Sequence, residues 1–329
     1  MKAIVQDRYG SSDVLEFDDV ERPTPGDSEV LVRVRAAAVN ARDWHLMRGD
    51  PYVARLMDPP TLGLRGPKIK IRGTDFAGVV EAVGPGVTRF SPGDEVYGEV
   101  DRAFAEYVAA PDNVVDPKPA NLTFEQAAAI PLAGNTALMG VRDVGRVQAG
   151  QRVLINGASG GVGTFAVQIA KAFGADVTGV CSTRNLDLVR SLGADAVVDY
   201  SEEDFTRTGQ RFDVVFDLVG NRSLTDLRRA LTPMGTLVLS GGGVSRGGSV
   251  IGPVGLMIKA QLMSRFVRRQ KILILTAVQS KENLATLREL AESGKITPAI
   301  DRTYPLSEGA EAIRYLEMDH AHGKVIVIA

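Results

Sequence analysis

Cysteine occurs once in this 329-residue chain, at Cys181, and histidine three times, at His45, His320 and His322. A single cysteine excludes an intramolecular disulfide framework and a four-cysteine zinc site. The histidines lack ligand spacing, so each reads as a surface or structural residue and no metal is expected. Tryptophan also occurs once, aromatic residues make up only 6% of the chain, and 38 basic residues nearly balance 40 acidic ones. A net charge of −2 gives no general attraction for nucleic acid or an anionic membrane. No apolar run is long enough to span a bilayer. The opening Met1–Asp7 is too short in its apolar part for a secretory signal. These absences lead us to expect a reducing, cytoplasmic setting. The chain is 44% apolar and 24% charged, the balance of an ordinary globular protein. Its length allows two domains, each with its own core.

The most informative stretch runs from Val153 to Gln168. An apolar run breaks into a glycine-rich turn, and the turn opens into an amphipathic helix. Strand, tight turn and helix in that order build a dinucleotide-binding corner, with the helix N-terminus presenting free N–H groups to a pyrophosphate. Read against G-x-G-x-x-G, the first glycine is replaced by Ala158, followed by Ser159, Gly160, Gly161, Val162 and Gly163. A Cβ is expected to be unwelcome at Gly160 and Gly163, where the backbone approaches the phosphates. The competing reading is an ordinary glycine turn; the flanking strand and helix argue against it.

Residues 1–120 read as β-rich, with short alternating runs such as Val30–Val34 and Gly78–Val83 between Pro, Gly and Asp turns. An alanine-rich helix through Ile130 follows the cap-like Asn121–Glu125. From Val153 the pattern alternates. Strands are expected at 153–156, 177–181, 196–198, 213–217, 236–240 and 272–276, and helices at 162–173, 184–192, 222–231 and 281–293. That alternation predicts a parallel sheet with helices on both faces. Residues 241–253 are glycine-rich and read as a mobile loop. The tail reads as strand Ile296–Tyr304, helix Ser307–Glu317 and strand Lys324–Ile328 rejoining the first domain. The expected division is 1–120, 121–279 and 280–329.

The end of the second strand of the corner bears on cofactor choice. An NAD-specific site places an acidic residue there for the ribose 2′-OH. This chain has Ser182, Thr183 and Arg184, which suit a 2′-phosphate. NADPH is therefore expected over NADH, the alternative for Arg184 being a solvated helix residue. Cys181 reads as packing near the adenosine. Gly220 and Ser240-Gly241-Gly242 follow later strands of the sheet and should line the nicotinamide crevice. Lys259–Lys271, with Arg265, Arg268 and Arg269, reads as a helix with a solvated basic face, the alternative being contact with a membrane surface or an anionic substrate.

Several motifs together carry a family resemblance: Lys2–Val5, Ala37–Trp44, Gly73–Gly84, Phe90–Gly98, Phe104–Tyr107, Ala127–Ala137 and Asn156–Gly163. The chain resembles a zinc-independent medium-chain dehydrogenase/reductase of the quinone oxidoreductase-like branch. It is similar to the reticulon-4-interacting protein group and to plant enone reductases. The resemblance implies an α/β fold: a GroES-like β-rich catalytic domain built from both ends of the chain, plus a Rossmann doubly wound parallel-sheet domain. It further implies a cofactor in the cleft and a homodimer.

In zinc members of this superfamily the metal is held at positions that match Asn40, Thr74 and about Leu132 here, none a good zinc ligand. Without a Lewis acid, simple alcohol oxidation is disfavoured; direct hydride delivery to a small hydrophobic quinone or an α,β-unsaturated carbonyl needs none. The resemblance places Asn40 near the nicotinamide ribose or carboxamide, Thr136 on the nicotinamide side, Tyr200 beside the 2′-phosphate or adenine, and Lys324 near the cofactor phosphate. Asn135 departs from an apolar family position. The catalytic residues stay open among Asn40, Arg42 and Tyr52, and the proton donor among Arg42, Tyr52 and bound water, with Trp44, Tyr52 and Leu62 as pocket candidates. The expected function is NADPH-dependent reduction of a quinone or enone. The alternative is an NADPH-binding partner or sensor protein with little turnover.

Overall fold

The computed structural model describes residues 1–57, 61–240, 252, 254–318 and 321–329. The chain divides into two compact units, Met1–Asn135 with Val278–Ala329, and Thr136–Ala277.

The first unit opens with β1 (Lys2–Gln6) and β2 (Leu15–Asp19), which pair antiparallel. The long strand β3 (Glu29–Val39) is the hub of a larger sheet with β4 (Asp75–Val83), β5 (Glu95–Glu99), β6 (Tyr107–Pro111) and β7 (Val115–Pro117). Along β3 the valines at 30, 32 and 34 are buried while Arg33 and Arg35 are exposed, the alternation of a strand with one wet face. From Ala36 to Val39 both faces are covered. Helix α1 (Ala41–Arg48) starts directly off β3. Asn40 and Asp43 form a capping box there, and Gly49 in the left-handed region ends the helix. A short turn, α2 (Ala54–Met57), follows. Helix α3 (Phe124–Ala128) is capped by Thr123, whose hydroxyl accepts from the Gln126 N–H, and α4 is Pro131–Leu138.

Among its described residues the second unit holds six parallel strands: β8 (Arg152–Asn156), β9 (Asp176–Cys181), β10 (Ala196–Asp199), β11 (Phe212–Asp217), β12 (Leu231–Leu239) and β13 (Lys271–Ile274). Their order is β10-β9-β8-β11-β12-β13. The strand order reverses between β8 and β11, the switch point at which doubly wound sheets open a crevice. Helices α5 (Gly161–Ala172), α6 (Leu186–Ser191), α7 (Leu224–Arg229) and α8 (Val254–Ser264) belong to this unit. Leu154, Val215, Leu227 and Leu237 form the centre of its core.

The tail supplies α9 (Lys281–Glu292), β14 (Ile300–Pro305), α10 (Gly309–Glu317) and β15 (Lys324–Ile328). Strand β15 lies between β14, its parallel partner, and β3, its antiparallel partner. The C-terminus thereby completes the sheet begun at residue 29.

Several boundaries differ from the sequence reading; β14, for one, starts at Ile300 and not at Ile296. The units divide at 135/136, not near 121, because Ala127 and Ala128 are buried in the first unit and Asn121 donates to the Ala291 carbonyl at 2.9 Å. The basic segment 259–271 is not one helix. α8 ends at Ser264 and Lys271 opens β13. Gln270 donates to the carbonyls of Arg228 and Thr232, which draws the chain into strand pairing before another turn forms. Strand β12 starts at Leu231, five residues before the expected 236. The expected loop 241–253, Gly252 apart, lies outside the described residues. Among the described residues no helix is long and apolar enough to cross a membrane.

Candidate active site

In the second unit the glycine turn forms where the sequence places it. Gly157 has φ +89°, a conformation that favours glycine. Gly163 is required by the chain itself, since a Cβ there would lie 2.0 Å from the Gly157 carbonyl oxygen. Gly160 differs. An added Cβ would meet nothing closer than that same oxygen, at 3.5 Å. The protein's own packing does not demand glycine at 160, and the open space in front of it fits the close approach of a phosphate. Asn185 donates to Ser159 Oγ at 2.9 Å and to Ser182 Oγ at 3.2 Å. One buried amide thus ties the glycine turn to the end of β9.

The end of β9 is more acidic than its own sequence suggests. Asp199, on β10, is in register with Cys181. Hydrogen bonds from Ser201 and Thr183 hold the Asp199 carboxyl below the ordinary carboxylate range. Tyr200 is half exposed, and its N–H donates to the Cys181 carbonyl at 3.1 Å. Burial, and then Asp199, push the Cys181 thiol up to about 11, the behaviour of a packing residue and not of a nucleophile. At the switch point, Asn156 Nδ2 donates to Asp217 Oδ1 at 2.8 Å and to Asn221 Oδ1 at 3.0 Å. Asp217 Oδ1 also accepts from the Gly220 N–H at 3.1 Å, which fixes Gly220 beside the strand end. Ser240 N–H donates to the Asp217 carbonyl. Thr136 is buried in α4. Gly241 and Gly242 lie outside the described residues.

The first unit contains a buried polar cluster. Asn40 is 5% exposed. Its N–H donates to Asp43 Oδ2 at 2.7 Å, its Nδ2 donates to Asp75 Oδ2 at 2.9 Å, and its Oδ1 accepts from Lys324 Nζ at 2.5 Å. Thr74 Oγ1 donates to Asp43 Oδ1 at 2.9 Å, and the Leu132 N–H donates to Asp75 Oδ1 at 3.1 Å. Asp75 and Lys324 Nζ are 3.5 Å apart, and both side chains are essentially sealed from solvent. Burial pushes Asp75 up and Lys324 down, and each charge opposes the other's shift. Burial also pushes Asp43 up to about 6. Glu99, the register partner of Asp75, is pushed up to about 7 by burial and then by Asp75.

The structure thus brings Asn40, Thr74, Leu132 and Lys324 together from four segments of the chain. The expected post of Lys324 beside a cofactor phosphate is not what is seen: its ammonium is buried and engaged by Asn40 and Asp75. Arg42 is committed to Asp101 at 2.5 Å. Tyr52 is exposed, with the Arg55 guanidinium over its ring, while Trp44 stacks on His45 at 3.8 Å. His45 and His322 are both in the first unit, and His320 lies outside the described residues. Asn135 works in packing: Nδ2 donates to the Val278 carbonyl and Oδ1 accepts from Asn283. Sequence reasoning missed Asp43, Asp75, Glu99 and Arg72. The available signal was a carboxylate heading the apolar run of β4, and a second one at the N3 position of α1.

Residues 26–120 match the alcohol dehydrogenase GroES-like domain, and residues 192–327 match the zinc-binding dehydrogenase family. The mitochondrial NAD(P)H oxidoreductase RTN4IP1 of Bos taurus is 34% identical over 99% of this chain and 89% of its own. The chloroplastic NADPH-dependent alkenal/one oxidoreductase of Arabidopsis thaliana is 34% identical over 99% of this chain and 79% of its own. The solved quinone oxidoreductase from Coxiella burnetii superposes with TM-score 0.84 at 31% identity, covering 100% of this chain and 99% of that one. The chain belongs to the quinone oxidoreductase-like medium-chain dehydrogenases/reductases. It is an oxidoreductase of the quinone and alkenal reductase type, with a GroES-like domain and a Rossmann-type parallel sheet.

Some members of this superfamily hold zinc, as the matched family's description says. The residues present here do not fit it. Asn40 has both ends of its amide occupied, Thr74 gives its hydroxyl to Asp43, Leu132 has no donor side chain, and a buried ammonium stands among them. Among the described residues no group of three or more His, Cys, Asp and Glu side chains is arranged for a metal. A dinucleotide does fit, through the open cradle at Gly160.

Proposed function

We propose that this protein reduces a quinone or an α,β-unsaturated carbonyl with NADPH, by direct hydride transfer and without zinc. The observation that carries the reading is the cluster around Asn40, where a buried lysine ammonium takes the centre of a donor set unfit for a metal. The cofactor supplies the hydride. The chain's own residues bind and orient it: Ala158–Gly163 for the pyrophosphate, Ser182–Arg184 and Tyr200 for the adenosine 2′-phosphate, and Gly220 and Ser240–Gly242 for the nicotinamide side, with Thr136 and Asn40. Lys324 holds the Asn40 amide in one orientation and is not assigned to the phosphate. An acceptor with an electron-poor C=C or quinone ring needs no Lewis acid to take a hydride. The proton is assigned to solvent water.

Support for NADPH over NADH comes from the hydroxyls and guanidinium at Ser182–Arg184. Asp199 works against it, and the Ser201 and Thr183 bonds keep that carboxylate ionised. The proposed homodimer draws support from the edge strand β13 and the exposed Ile258, Leu262 and Phe266 of the same unit, an unpaired edge with apolar neighbours. The proposed cytoplasmic setting draws on cysteine usage, and relatives carry mitochondrial and chloroplastic names.

The test is NADPH consumption against a panel of quinones and 2-alkenals, with NADH in parallel. We expect turnover with NADPH and a cofactor preference that narrows about 10-fold in Arg184→Ala. Tight NADPH binding with no turnover of any acceptor would overturn the enzyme reading, and tighter binding of NADH would overturn the cofactor assignment.

A further inference from the structure

Arg72 is 3% exposed, yet its Nε and Nη2 are buried with no hydrogen-bond partner. A buried guanidinium ordinarily spends its donors on carboxylates or carbonyls. Here the nearby acids take other donors. Asp43 and Asp101 are the carboxylates whose fields act on Arg72 most strongly. Asp43 takes the Asn40 N–H on one oxygen and the Thr74 hydroxyl on the other, and Asp101 takes Arg42. Arg42 and Tyr9 are the other charged or titratable groups acting on it. Burial pulls the guanidinium below its ordinary value, but an arginine keeps its charge at neutral pH.

The backbone around Arg72 is rigid. Its N–H donates to the Ile4 carbonyl at 3.0 Å, and its carbonyl accepts from Phe104 at 2.9 Å. Val5 and Ile71 are bridged antiparallel, so the two-residue period puts Gln6 and Arg72 on one face of that pairing. Gln6 is 1% exposed, and its Nε2 donates to the carbonyls of Arg8 and Met47 while its Oε1 is also buried without a partner. Unused donors and an unused acceptor therefore share a face, in the same unit as Arg42 and Asn40.

We propose that Arg72 binds the carbonyl oxygen of the acceptor. A carbonyl oxygen meets the guanidinium N–H groups, and a hydroxyl, the form a reduced quinone takes, also meets Gln6 Oε1. As hydride from NADPH forms its new bond to the acceptor, the carbonyl π electrons move onto oxygen. The fixed guanidinium faces that growing negative charge, and a proton from solvent completes the reduced product while NADP⁺ leaves. This inference rests on the reductase reading above, and its test separates the two.

Arg72→Met keeps the volume and removes charge and donors; Arg72→Lys keeps the charge without the fork. For acceptors the wild type reduces, we expect Arg72→Met to lower kcat/KM about 100-fold, with Arg72→Lys recovering part of it and NADPH affinity unchanged within about twofold. Trp44 is the single tryptophan, and its fluorescence is the binding readout. Titration of the NADP⁺-loaded protein with cyclohexanone should saturate for wild type and weaken at least about 10-fold in Arg72→Met. Arg72→Gln serves if Arg72→Met fails to fold. Unchanged kcat/KM, or equal cyclohexanone binding with a raised melting temperature, would show that the site holds only water and overturn the proposal. If the wild type reduces no acceptor, the reductase reading fails, and the cyclohexanone titration alone decides Arg72: no saturable binding in wild type overturns it.

Discussion

Two glycines three positions apart do different jobs in the dinucleotide turn. Gly163 has no room for a Cβ, because the Gly157 carbonyl oxygen would lie 2.0 Å away. Gly160 has room, with nothing nearer than 3.5 Å. Gly163→Ala should therefore lower stability by several kcal/mol, roughly 2–4, through forced movement of backbone. Gly160→Ala should leave the melting temperature within about 2 °C, because it adds no internal clash, and weaken NADPH binding about 10-fold or more through the occupied phosphate space. Thermal melts and cofactor titrations of both variants check this. Equal melting temperatures for the two would contradict the assignment. The pattern A-x-G-x-x-G marked both residues; only the distances separate the glycine that the chain's own packing requires from the one it does not.

At the scale of elements, agreement follows local periodicity. Strands β8, β9, β10, β11 and β15 and helices α5 and α9 lie within a residue or two of their sequence-based bounds, because each carries its own pattern and cap. The basic segment 259–271 fails for the opposite reason. Its charge pattern says nothing of Gln270, whose hydrogen bonds to residues about 40 positions away start the next strand. Helix α9 shows how a well-read element is docked by an unread contact. Tyr97, fully buried on β5, donates its hydroxyl to the Leu284 carbonyl at 2.7 Å. Tyr97→Phe keeps the ring and loses the bond, and should cost about 1 kcal/mol. Chemical denaturation checks the value, and hydrogen exchange should show faster opening confined first to residues 281–292. No change in either would mean that apolar packing alone seats the helix.

At the scale of the whole molecule, the buried carboxyls of the first unit link stability to pH. Asp43 titrates at about 6 in the fold, raised from 3.8. A raised acid favours the fold while protonated, so its contribution is present below about pH 4, declines as pH rises to about 6, and is flat above. A shift near two units corresponds to about 3 kcal/mol. Glu99, raised to about 7, acts in the same direction over a window reaching neutrality. The melting temperature of wild type relative to Asp43→Asn should therefore fall between pH 4 and pH 6. A difference that stays constant or grows over that range would refute the linkage.

The same scale separates what each source of information determines. From the sequence by itself came the strand–glycine turn–helix corner, the alternation that makes a parallel sheet, the return of the tail to the first domain and the family. All of these are written in local spacing: a glycine turn, an apolar period of two or 3.6, a cap, a motif. Only the tertiary structure placed Lys324 against Asn40, which lies 284 residues earlier. It also brought Asp199 to a strand end that looked free of carboxylates, and left Arg72 buried with donors to spare. The physical reason is register. A strand's pattern tells which face is buried, but which residue of another strand it meets depends on pairing between distant segments, and the energy of a buried charge is set by those partners.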